Sequence, residues 1–174
     1  MDVKDTSFKI HPKYPDIALS YDYENRLYEN TPFSLVCKNG KDEWMTIYYF
    51  DRYTELDSIL KIDFDKKGKP EIVLYYREFI QATGASTGKS GIIIINIDDT
   101  PKELCHVVSY AEENLSHYNQ VGGKSEFNKC SRKVSVSSKG VQISRNSTKN
   151  KLSECTNVPE GLYVLTNEGF KKQK

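Results

Sequence analysis

The chain has 174 residues, 37% hydrophobic and 28% charged, with a formal net charge of +1; this balance is globular and supports one core without obligatory staples. The longest apolar run, "GIIIINI", is seven residues, against the roughly 18 that a membrane-spanning helix requires, so no span is expected. The charge is uneven: residues 1–120 hold fourteen basic and twenty acidic side chains, residues 121–153 hold eight basic ones and only Glu126, and residues 154–174 hold three of each. An acidic body therefore carries one basic hairpin region, which suits an anionic partner. That region is interleaved with Ser and Val rather than with stacking aromatics, which argues against nucleic acid.

The expected organisation is a single domain, 1–174, with 1–12 and 170–174 as candidate disordered tails. In "IALSYDY" the apolar positions Ile17, Leu19, Tyr21 and Tyr23 alternate, which predicts a first strand. "TPFSLVCKN" predicts a second strand, turned by Asn39-Gly40. "DEWMTIYYFDRY" predicts a third, in which Trp44, Thr46 and Tyr48 oppose Met45, Ile47 and Tyr49. In "SILKIDFDKKGKPEIVLYYREFI" the alternation on both sides of Lys67-Gly68-Lys69 predicts a hairpin. Its Asp63-x-Asp65-x-x-Gly68 imitates the opening of a calcium loop. Lys67 and Leu74 stand where oxygen ligands are needed, so no metal site is expected.

The stretch "GASTGKSGIIIINI" imitates a phosphate-binding loop. The spacing to the first glycine is one residue short, and four isoleucines follow where a helix N-terminus should begin, so no nucleotide is expected. The reading is a polar, flexible connection leading into a buried strand at 92–97. Thr100, Pro101 and Glu103 then have capping-box spacing, and Leu104, Val107 or Val108, Ala111, Leu115 and Tyr118 recur three or four residues apart, which predicts a helix over 101–118. Beyond "QVGG", Val134 and Val136 oppose Val141 and Ile143 in a small hairpin, and "EGLYVLTNEG" predicts a last strand. The expected fold class is α+β and predominantly antiparallel: a sheet, sandwich or partly closed barrel of about eight strands with one packed helix.

The opening "MDVKDTSFKIHP" has no apolar h-region, so the sequence carries no secretory signal. Four cysteines leave two disulfides open; Cys130 with Cys155 and Cys37 with Cys105 is the expected pairing, and no CxxC pair suggests a thiol redox or zinc centre. The sequons at Asn114 and Asn146 permit glycosylation on a secretory route. An extracellular or otherwise oxidising location follows, with the cytoplasm as the alternative. No G-x-S-x-G, H-E-x-x-H or Rossmann pattern occurs. The least poor acid/base set would be His106, His117 and Glu113; on a helix the two histidines would lie about 16 Å apart.

The expected function is non-enzymatic: a secreted binding module of inhibitor or host-interaction type, without cofactor or metal. It would engage a protein partner, an acidic one included, through exposed aromatics or the basic hairpin. Tyr, Trp and Arg dominate interface energetics, so Tyr21, Tyr23, Trp44, Tyr48, Arg132 and Lys133 are the candidate contact residues. The alternatives are a carrier of a small apolar ligand with a lipocalin-like internal cavity, although the early G-x-W is missing, and a hydrolytic enzyme.

Overall fold

In the computed structural model of the protein the described residues are 8–22, 31–39, 41–51, 53–97, 100–115, 126–145, 152, 154–155 and 157–174. They form thirteen strands in three sheets, with no helix among them. Two compact units result: Met1–Thr54 with Ile97–Lys102, and Glu55–Asn96 with Glu103–Lys174.

The first unit holds a sheet in sequence order: β1 (Phe8–Ile10), β2 (Ile17–Tyr21), β3 (Phe33–Lys38) and β4 (Trp44–Phe50). Period-two patterning fixes which side is buried. Cross-strand partners share a face, so Ile17 and Cys37, Leu19 and Leu35, and Tyr21 and Phe33 line one side. Leu35 faces Tyr48 but Val36 faces Thr46, so Ile47 is an extra residue in β4 and the alternation slips there.

The second unit holds the larger sheet, in the order β5 (Thr54–Ile62), β6 (Glu71–Ala82), β7 (Ala85–Asn96), β8 (Lys102–Leu115) and β9 (Glu126–Ser131). A smaller one follows in the order β10 (Val134–Ser137), β11 (Gly140–Ile143), β12 (Gly161–Thr166) and β13 (Gly169–Lys172). Val73, Ile92, Ile94 and Val107 of the larger sheet are buried with Val141 and Ile143 of the smaller, and Tyr163, Leu165 and Phe170 pack against them. This is sandwich-like packing of two inner faces. Ile72, Leu74, Ile93 and Ile95 point the other way and are also buried, which accounts for an isoleucine run without polar alternation.

The fold is therefore all-β rather than α+β, and no sheet closes into a barrel, which removes the lipocalin-like carrier. The expected helix 101–118 is the strand β8 over its described length. A β7 buried on both faces has ladder groups on both edges; β6 pairs with one, and β8 supplies the other. The helical spacing has its own cause. Val107 joins the inter-sheet core, whereas Val108 and Ala111 pack together against Cys130 and Cys155. The alternation thus slips by one within β8, and a slipped strand places apolar residues three apart, as a helix does.

Three further expectations change. The "GASTGKS" stretch is no loop: β6 and β7 pair without interruption from Ile72 and Ile95 to Ala82 and Ala85, and only Thr83-Gly84 turns, with Gly84 at φ +81°. The described residues form five more strands than the eight expected, with β1 inside 1–12 and all but the first residue of β13 inside 170–174. Cys130 and Cys155 are joined as expected, but Cys37 and Cys105 are not disulfide-bonded: Cys37 is buried in the first unit, and Cys105 packs into the core of the second.

Candidate functional site

The β10–β11 hairpin carries the basic charge on a rigid base. Val134 and Val136 oppose Ile143 and Val141, and all four pack into the inter-sheet core. Ser135 and Ser137 alternate outward, so the hairpin has one anchored and one solvated face. Lys133, Lys139 and Arg145 are exposed and form no ion pair among the described residues. Several cations elsewhere in the same unit are matched: Arg77 bridges Glu55 and Asp57, Lys89 meets Glu78 at 2.9 Å, and Lys67 meets Asp65 at 2.8 Å, whereas Lys66, Lys172 and Lys174 also have no ion pair among the described residues. Three unmatched charges on one small hairpin leave a local positive field.

Arg132 does not belong to that field. It is only 7% exposed; Nε donates to the Val108 carbonyl at 2.8 Å and Nη1 to the Val158 carbonyl. Its guanidinium fastens the 157–160 segment to β8, with desolvation drawing its pKa below the ordinary arginine value. The Cys130–Cys155 bridge ties Cys155, two residues before that segment, to β9. Arg132 is thus a buried structural clamp, and Lys133 beside it is exposed to solvent.

A second surface lies on the larger sheet. β6 and β7 have twelve residues each, but the strands of the smaller sheet have four to six. One end of the inner face is consequently uncovered. Phe79 lies there opposite Gly88, where Glu112 also approaches, and Phe127 lies opposite Asn114. Phe79 and Phe127 are 53% and 52% exposed, with Lys129 Nζ 6.0 Å from the Phe127 ring centre. Sequence reasoning missed both phenylalanines, because their exposure depends on where the opposing sheet ends.

The remaining candidates are dispersed. Trp44 is half-buried and meets Phe8 edge-on at 4.7 Å, Tyr48 tilts against Phe50 at 4.8 Å, and Tyr21 tilts against Phe33 at 5.6 Å. These aromatics are engaged in packing within their own sheet; the most exposed large hydrophobic of β4 is Tyr49, at 58%. Asn114 is exposed on β8. Tyr23, His117 and Asn146 lie outside the described residues.

The Tyr76 hydroxyl and His106 Nε2 are 2.6 Å apart. Desolvation lowers the His106 pKa, so near neutral pH its uncharged ring can accept the phenolic proton in a hydrogen bond. Glu113 is seven positions from His106 along a strand, roughly 20 Å, so the two share no acid/base site. Asp63 and Asp65 are likewise committed. Asp63 accepts from the Lys67 and Gly68 backbone and Asp65 from Lys67, which stabilises a turn. No group of three metal-ligating side chains occurs among the described residues.

No family model, curated protein or solved structure matches this chain. What it presents is a β-sandwich-like fold with exposed aromatics and one disulfide, consistent with a binding or structural module. The disulfide is also consistent with an oxidising environment. No described helix is long and apolar enough to cross a membrane.

Proposed function

We propose that the protein is a non-enzymatic binding module that engages an acidic protein partner through the β10–β11 hairpin, in an oxidising compartment. The observation that carries this reading is the set of exposed cations, Lys133, Lys139 and Arg145, clustered without an ion pair among the described residues on a hairpin whose valines are anchored in the core. A fixed positive surface accelerates encounter with an acidic partner and orients it, while neutral surroundings contribute contact area. The uncovered end bearing Phe79 and Phe127 favours a second contact surface, since exposed aromatics are common interface anchors.

Photocrosslinking in extract of the source organism tests this reading. A benzophenone amino acid at Ser137 is expected to give a discrete adduct with an acidic protein, lost when Lys133, Lys139 and Arg145 are all changed to Glu. An adduct that survives this charge reversal unchanged would overturn it.

A further inference from the structure

We propose that β10 is a strand-addition site that takes an extended acidic segment of a partner protein as an additional strand of the smaller sheet. This rests on the reading of the basic hairpin above and specifies how the partner binds.

The backbone supplies the first part of the argument. β10 is the outermost strand of its sheet. Ser144 N–H donates to the Lys133 carbonyl at 2.9 Å, which makes Lys133 and Ser144 a hydrogen-bonded pair. Bonded and non-bonded pairs alternate in an antiparallel ladder, so Ser135 with Gln142 and Ser137 with Gly140 are bonded as well. Val134 and Val136 therefore turn their N–H and C=O groups away from β11, toward the open edge. No other hydrogen bond engages these two residues among the described residues. The register runs without a slip from Val134 to Ser137, so the edge is straight.

β4, one of the two outer strands of the first sheet, differs. Its extra residue at Ile47 breaks the register, a device that disfavours edge pairing. The edge at β10 lacks that protection and has flanking lysines instead. Two β10 edges pairing antiparallel would bring the Lys133 end of one copy beside the Lys139 end of the other, and like charges at that distance repel. A strand with carboxylates at those ends meets attraction. The same lysines thus select against a second copy and for an acidic segment.

The side chains define the segment further. Val134 and Val136 lie at the rim of the inter-sheet core and the serines between them face solvent. An added strand continues that pleat, so its core-facing positions suit apolar β-branched residues and its solvent-facing positions suit Asp or Glu. Main-chain bonds supply affinity, and the alternation supplies register.

The test uses the full chain and two blocked peptides, Ac-EVEVEVE-NH2 and Ac-KVKVKVK-NH2, with amide hydrogen exchange read residue by residue. The acidic peptide is expected to slow exchange at Val134 and Val136, and the basic peptide to have no effect. Val136→Pro removes one outward donor without touching the bonded pairs, and should weaken binding about tenfold. Lys133→Glu with Lys139→Glu should weaken it by at least about tenfold and reduce its salt dependence. Unchanged near-UV circular dichroism certifies that either variant is folded. Binding of the acidic peptide with no slowing at Val134 and Val136 would overturn strand addition and leave the basic-hairpin reading intact. No binding of the acidic peptide, with tight binding of a twelve-residue oligothymidylate, would overturn both.

Discussion

The β6–β7 hairpin has two halves made from the same two strands in one unbroken register, and they differ in almost everything else. From Ile72 to Tyr76 and from Gly91 to Ile95 nearly every side chain is buried; from Arg77 to Ser90 the hairpin is polar and partly exposed, with Phe79 standing out of it. Backbone pairing is continuous across both halves, so pairing alone does not make a core. The difference comes from the opposing layer, whose short strands cover one half only. Apolar side chains on the covered half contribute to stability, whereas those on the free half are available for contact.

Truncation gives the sharpest contrast. Ile94, fully buried, should cost about 3.5 kcal/mol when changed to Ala. Phe79→Ser, on the same hairpin, should cost less than about 0.5 kcal/mol in urea unfolding, in line with exposed sites. Equal losses would mean that the free half is covered in solution.

The clamp on the far strands comes next. Cys130 and Cys155 close a loop with a sequence separation of 25, so replacing both with Ser should lower stability by about 3 kcal/mol. The loss should appear as an earlier urea midpoint. A midpoint unchanged by the double substitution would show that Arg132 and the packing of Ala111 hold this region unaided.

A smaller effect separates two glycines of β7. A Cβ on Gly91 would come within 2.3 Å of the Val107 carbonyl oxygen, a backbone atom that has no room to give. On Gly88 the nearest atoms belong to the Glu112 side chain at 3.3 Å, which can swing aside. Gly91→Ala should therefore destabilise by about 2 kcal/mol and Gly88→Ala by less than about 0.5 kcal/mol. Thermal melts of the two variants check this, and similar melting temperatures would erase the distinction between the halves.

The smallest effect is a pH dependence at the covered end. Glu71 is buried and accepts the Phe64 N–H at 3.1 Å; desolvation raises its pKa above the ordinary glutamate value. A carboxyl whose folded pKa is raised contributes stability that is fully present below its unfolded pKa and is lost as pH rises through the folded one. The stability of the native protein relative to Glu71→Gln should accordingly decline from pH 4 to pH 7. Denaturant titrations across that range test the slope, and a flat difference would mean that no such shift exists.

The same two halves explain what could be read in advance. The strands at 17–21, 33–38 and 44–50 and the β10–β11 hairpin show period-two alternation because one face is covered, and the isoleucine strand shows a continuous apolar run because both of its faces are. "GASTGKS" reads as a loop because a strand that outruns its cover has no apolar face to display. β8 reads as a helix because its slip spaces Val108 and Ala111 by three. At the candidate site, the exposure of Lys133 was legible and the burial of Arg132 was not. Two adjacent basic residues look alike in a sequence, and alternation about the strand turns one inward.

The sequence by itself determined a globular composition, the acidic body with its basic hairpin, and most of the inner β-strands. These depend on local alternation and on charge, which a linear pattern carries in full. The third dimension decided that β8 completes a sheet instead of forming a helix, that the sheets do not close, that Arg132 is a clamp, and that Phe79 and Phe127 stay exposed. Each of those depends on which strand lies beside or across from another and on where it ends, and such long-range partners leave no periodic trace in the chain.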